Sequence, residues 1–201
     1  MAGNGISYLG MRTAPAQKRK MSLPELFPTP RKIAETGNSF TISQELRFFC
    51  SDHGLNDGII PWAGKLPLIQ EGSTEVANLL IQKESLGHPE AYFLKMEKDE
   101  ITLKAGSPAG IFRGLSKVFQ VFQFREAGTQ IPGFLIEDAP SLNRRGFMLD
   151  ISRCKVPTME ELFRLIDLLA LIGYNELQLY IEHTFRFQVH ETVWKDASPV
   201  S

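Results

Sequence analysis

The stretch that decides the architecture is RRGFMLDISRCKVPTMEELFRLIDLLALIGYNELQLYI, from Arg144 to Ile181. It opens with Gly146-Phe147-Met148-Leu149-Asp150-Ile151, a short apolar run of the kind that forms a strand buried on both faces. Thr158-Met159-Glu160-Glu161 is a capping box, preceded by Pro157. Leu162, Phe163, Ile166, Leu169 and Ala170 then recur at helical spacing, and Gly173 can close that helix. Glu176-Leu177-Gln178-Leu179-Tyr180-Ile181 is a second strand. A strand, a helix and a strand with short connections make a β-α-β unit, whose strands run parallel.

One such unit leaves open strand edges and has little to bury them. Two arrangements follow. Either residues 138–201 open a larger α/β barrel that is incomplete here, or the strands extend a sheet built by the preceding residues. Ala197-Ser198-Pro199-Val200-Ser201 reads as a turn leading into another helix, which favours the barrel.

Upstream, the period changes. Leu23-Pro24-Glu25-Leu26-Phe27-Pro28-Thr29-Pro30 holds three prolines and predicts an extended path along a surface. Phe40–Ser43 and Leu46–Cys50 read as strands. Residues 51–75 are rich in Gly and Pro and read as irregular, with a short helix near Glu75. Asn78–Glu84, Ala91–Glu97 and Glu100–Ala105 read as further strands. The last two alternate apolar and polar residues around a Lys98-Asp99 hairpin turn. Ser107 and Pro108 suit a helix start, and Ile111, Phe112, Leu115, Val118, Phe119 and Phe122 form an apolar stripe. The expectation for residues 23–137 is an α+β domain, an antiparallel sheet covered on one face by that helix.

Bulk properties exclude several classes. The 201 residues are 43% hydrophobic and 22% charged, with a formal net charge of -1, a globular composition with no field to attract nucleic acid or an anionic membrane. No apolar run reaches the length of a membrane span. Cys50 and Cys154 stand one in each half and imply neither a disulfide framework nor a zinc knuckle. Residues 1–22 read as a disordered leader. The Lys18-Arg19-Lys20 cluster follows its short apolar stretch instead of preceding it, which is the wrong order for a secretory signal, so a cytoplasmic location is expected.

Three stretches together resemble glycoside hydrolase family 20, the β-N-acetylhexosaminidases. Phe27-Pro28-Thr29-Pro30-Arg31-Lys32-Ile33, with Phe40-Thr41-Ile42 after it, is similar to the opening of the family's small first domain. Ala109-Gly110-Ile111-Phe112-Arg113-Gly114-Leu115, running on to Phe119–Phe122, is similar to that domain's main helix. Arg144–Arg153 resembles the family's first barrel strand and is the most specific of the three.

The resemblance implies an α+β accessory domain followed by the first β-α-β unit of a (β/α)8 barrel, with the active site at the C-terminal strand ends. It implies an N-acetylhexosamine-containing glycan as partner and no cofactor. Arg145 matches the family's substrate arginine, whose guanidinium fork can donate to two adjacent sugar hydroxyls. The alternative for Arg145 is a structural ion pair with Asp150 or Asp138. Asp150 falls near the barrel mouth, where it either meets substrate or, with Arg153, holds the mouth together. Glu182 and His183 replace the sequence usual at the end of the second strand, either in the sugar site or orienting Arg145. His183, His190, Glu182 and Glu191 are poorly spaced for a metal site, and none is expected. Phe185, Phe187 and Trp194 suit packing or stacking on a pyranose face.

In this family the substrate's own 2-acetamido oxygen attacks the anomeric carbon, and an Asp-Glu pair at the fourth strand assists. The one Asp-Glu pair in these residues, Asp99-Glu100, falls in a hairpin, so no catalytic residue is assigned. Two other readings stay open: a non-catalytic carbohydrate-binding or interaction protein derived from such an enzyme, and a different sugar-active barrel sharing the first domain.

Overall fold

The computed structural model describes residues 22–123, 125–152, 156–182 and 184–197. The expected leader up to Met21, together with Phe124, Arg153, Cys154, Lys155, His183 and Ser198–Ser201, lies outside them.

Strands β1 (Lys32–Thr41), β2 (Leu46–Cys50), β3 (Leu68–Gln70), β4 (Leu79–Lys83), β5 (Tyr92–Glu97), β6 (Glu100–Ala105) and β7 (Gln130–Asp138) form one sheet in the order β1-β7-β5-β6-β4-β2-β3. Residues 53–62 make short helical turns that include α1 (Asn56–Ile59), and α2 (Pro108–Gln123) follows β6. Facing pairs fix one apolar surface: Leu94 meets Leu103 and Ile136, Met96 meets Ile101 and Phe134, and Leu79 meets Ile101. Ile111, Leu115, Val118 and Val121 of α2 are fully buried in the same core. Period-2 strands under a period-3.6 helix stripe thus give the sheet-and-helix layering that the pattern implies.

Three details differ from the sequence reading. The sheet is mixed, because β2 pairs parallel with β3 and β4, and β4 pairs parallel with β6. Alternation reports which face is buried and carries no information about strand direction. β7 is not legible in the sequence because Pro132 and Gly133 interrupt it. Pro132 faces Ser39, where the β1 register shifts, outside the span that pairs with β5. The helical turns fall at 53–62, and residues 74–76 near Glu75 form bends.

The second unit comprises β8 (Gly146–Asp150), α3 (Met159–Leu171) and β9 (Glu176–Tyr180), followed by the short α4 (Glu191–Trp194). β8 and β9 are parallel and form a sheet of their own, so they do not extend the first one. The capping box is formed in both directions: Glu161 N donates to Thr158 Oγ1 at 3.2 Å and Thr158 N to Glu161 Oε2 at 3.1 Å. Gly173 closes the helix with φ +94°.

The expected burial of β8 on both faces is not met. Met148 is 59% exposed, and Phe163 on α3 is 60% exposed. Among the described residues of this unit Ile151 and Leu169 are the buried apolar ones, since two strands underlie one helix and cover only part of its stripe.

α2 sits close to the sheet at its glycines. A Cβ on Gly110 would lie 2.4 Å from Ala91 O and 2.7 Å from Ala105 Cβ. Neither atom is the end of a flexible side chain, so Gly110→Ala should destabilise the chain by about 1–3 kcal/mol, read as a lower urea midpoint.

Candidate functional site

Two groups of polar side chains occupy opposite ends of the β8–β9 ladder. At the C-terminal end, Asp150 Oδ1 accepts from Ser152 N at 2.8 Å, and Ser152 Oγ donates to Tyr180 O at 3.3 Å. Glu182 N donates to Ser152 Oγ, and Tyr180 OH donates to Glu182 Oε1 at 2.8 Å. The hydrogen bond and negative charge of Glu182 raise the Tyr180 pKa, with Asp150 adding to the effect. Asp150 and Glu182 are thus gathered at one strand end. His183, between Glu182 and Thr184, lies outside the described residues.

Arg145 is at the other end. It precedes Gly146, the first residue of β8, and stands five extended residues and about 16 Å from Asp150. Its Nε donates to Gly173 O at 2.6 Å, one terminal nitrogen to Leu142 O, and the other to Glu90 Oε2. The ion pair is therefore with Glu90 of the first unit, where the sequence offered Asp150 or Asp138. The structure does not bring Arg145 together with Asp150 and Glu182.

Glu90 is the centre of this junction. Its Oε2 also accepts from Arg113 Nε at 2.7 Å, and its Oε1 accepts from Asn175 Nδ2 at 3.2 Å. Arg113 reaches across to Ala170 O (2.7 Å) and Tyr174 O (3.0 Å), capping the end of α3. Asn175 in turn accepts from Arg145 N at 2.9 Å and donates to Asn143 O at 2.7 Å. Burial pushes the Glu90 carboxyl up, but the hydrogen bonds and charges of Arg113 and Arg145 outweigh it and hold the pKa below the usual carboxylate value.

Beside this junction lies a cleft of about 600 Å³ between the two units. Lys117 is 3% exposed there and donates from Nζ to Pro28 O at 2.8 Å. Asp138 accepts from Tyr92 OH (3.0 Å) and from Arg31 N (3.1 Å). Sequence reasoning passed over Glu90, Arg113, Asn175 and Lys117. The signal for Lys117 was available: it falls on the buried side of α2, between Gly114 and Val118. A cation on an apolar stripe marks a polar interior. Glu90 had none, being one carboxylate in a loop.

Phe185 and Phe187 pack on each other with centroids 5.0 Å apart, and Trp194 Nε1 donates to Phe187 O at 2.7 Å. Among the described residues no group of three His, Cys, Asp or Glu could hold a metal ion, and no helix is long and apolar enough to cross a membrane. Cys50 is buried with a free thiol whose pKa is raised by burial. Asp99-Glu100 occupies the turn and first position of the β5–β6 hairpin.

The fold is that of an α+β module joined to a parallel β-α-β unit. The sequence profile of glycosyl hydrolase family 20, domain 2, matches residues 23–139, and the chain belongs to that family. Beta-hexosaminidase subunit A1 of Dictyostelium discoideum is 31% identical over 113 residues, covering 55% of this chain and 21% of the relative. A beta-hexosaminidase of Porphyromonas gingivalis is 22% identical over 196 residues, covering 86% and 25%. The structure of the GH20 exo β-N-acetylglucosaminidase from Vibrio harveyi in complex with N-acetylglucosamine superposes with a TM-score of 0.71 at 21% identity. That match covers 90% of this chain and 30% of the other. The chain thus spans about a fifth to a quarter of the length of those two sequence relatives.

Removing the shared carboxylate leaves two guanidinium groups facing each other at a largely buried junction. Glu90→Ala should cost about 3 kcal/mol near neutral pH. Because the folded pKa of Glu90 is lowered, its contribution is full above the ordinary carboxylate pKa and is lost as pH falls through the folded value. Urea titrations of both proteins should show the gap narrowing in acid; a gap unchanged at about pH 3 would contradict the role given to Glu90.

Proposed function

We propose that this chain is the leading part of a β-N-acetylhexosaminidase that releases terminal N-acetylhexosamine from glycans. In this reading residues 23–137 are the accessory domain, and β8-α3-β9 is the first β-α-β unit of a (β/α)8 barrel. The observation that carries the reading is the parallel β8–β9 pair joined to a family 20 module, with Asp150 and Glu182 at its C-terminal end. Barrel enzymes place their chemistry at that end. The exposed side chains of Met148 and Phe163 are the surfaces that further strands and helices of a barrel would cover.

Asp150, Glu182 and, by its place in the sequence, His183 are the groups proposed to face the sugar. Their hydrogen-bonding capacity suits hydroxyls, which donate and accept. Arg145 would reach a sugar only by exchanging its bonds to Glu90, Gly173 and Leu142. In its present position it fixes the head of β8.

The proposed chemistry is substrate-assisted: the 2-acetamido oxygen attacks the anomeric carbon while a carboxylic acid protonates the leaving oxygen. That acid needs a raised pKa in a partly buried place. Asp99-Glu100 is on the β5–β6 hairpin of the first sheet and does not provide it. The 201-residue chain alone should therefore show no turnover of a chromogenic N-acetylglucosaminide, whereas a protein that completes the barrel after β9 should hydrolyse it. Enzyme-level turnover by this chain alone, or none by the completed barrel, would overturn the assignment.

A further inference from the structure

The cleft between the two units has an unbalanced charge. Among the described residues, Arg31, Arg113, Lys117, Arg144 and Arg145 line it against two carboxylates, Glu90 and Asp138. Both carboxylates are already engaged, Glu90 by Arg113, Arg145 and Asn175, and Asp138 by the Tyr92 hydroxyl and the Arg31 backbone. Arg144 is drawn to Glu176 on the surface. Of the lining cations, Arg31 and Lys117 are left. The Arg31 guanidinium donates to Ser141 Oγ at 3.0 Å, and the Lys117 ammonium donates to one carbonyl, with no carboxylate at salt-bridge distance among the described residues.

A buried ammonium with a single neutral partner is unfavourable. Burial pushes the Lys117 pKa down to about 8, Asp138 opposes this, and Arg113 adds to it. The cleft, about 600 Å³ and open to solvent on one side, is of the size of small-molecule sites. Its walls include Pro28, Pro140, Leu171 and Tyr174, which suit a body less polar than its charged head.

We propose that this cleft binds a small molecule carrying a phosphate or sulfate group, with the oxyanion held between Lys117 and Arg31. The charge-assisted bonds complete the donor capacity of Lys117 and offset the repulsion among the cleft cations. The site is separate from Asp150 and Glu182, which lie at the other end of the ladder, and it does not depend on the chain being a glycosidase.

Calorimetry on the 201-residue chain at constant ionic strength tests this, with inorganic sulfate, glucose 6-phosphate and glucose as probes. Sulfate and glucose 6-phosphate should bind and glucose should not. Tighter binding of the sugar phosphate than of sulfate would identify a carried oxyanion, and the reverse a free one. Lys117→Met, which keeps the volume and removes the charge, should weaken sulfate at least tenfold. Arg31→Ala, at an exposed position, should weaken it severalfold and serves if the Lys117 variant does not fold.

Sulfate does not titrate near neutrality, so the pH profile reports the protein. Facing Lys117 are Asp138, Glu90, Tyr92, Arg31, Arg113 and Arg145. Glu90 is shifted down and Tyr92 up, each away from the range in which Lys117 titrates. Affinity should therefore fall as pH rises from about 7 to about 9.5, with proton uptake on binding near the Lys117 pKa. Equal sulfate affinity in wild type and both variants, or no binding of either anion, would overturn the proposal.

Discussion

The Glu90 carboxylate is the point on which the relation between the two units depends. One oxygen is shared by Arg113, which projects from α2, and Arg145, which leads into β8. The other accepts from Asn175, which leads into β9. Both strands of the second unit are therefore tied, just ahead of their first residues, to the same acidic side chain. Arg113 adds bonds to two carbonyls at the end of α3, where a helix leaves acceptors unpaired. A parallel two-strand unit with one helix has too little core to hold itself. It is held by this junction, by the contact of Leu171 with the core of the first unit, and by surface contacts such as the Lys65–Asp167 ion pair at 2.9 Å.

The apolar pattern made much of the fold legible. The α2 stripe, the β5–β6 hairpin and the capping box of α3 are local features, and each is written in residues close in sequence. What stayed hidden is non-local. Strand direction within the sheet depends on connections through residues 51–78, whose Gly and Pro content carries no period. β7 carries Pro132 and Gly133, which read as breakers until the register shift in β1 shows that the missing N–H is not needed. The exposure of β8 follows from what lies around it, which its own residues cannot report.

The candidate site divides in the same way. Asp150 and Glu182 follow apolar strand runs, so counting residues places both at one strand end. Arg145 also follows from counting, since it precedes Gly146, but counting does not give its partner. Glu90 is 55 residues away in a loop. A single carboxylate in a loop has no motif around it, and only the folded chain shows that it meets two arginines. Lys117 is the intermediate case: its place on a buried helix face announces a polar interior, while Pro28 as its partner is visible only in three dimensions.

The separation of these groups along β8 has a structural logic. The charges that fasten the strand to the first unit act at its head, where Glu90 neutralises two guanidinium groups in a largely buried place. The carboxylates at the C-terminal end stand about 16 Å away and take no part in that junction. The ion pairs of the junction and the carboxylates at the far end therefore do not share partners, and the position of the strand is set at its head. At that end Asp150 is oriented by the Ser152 backbone N–H, and Glu182 accepts from the Tyr180 hydroxyl. Fixing the head of β8 also fixes where its far end falls, so the junction sets the place of Asp150 and, through Ser152, of Glu182.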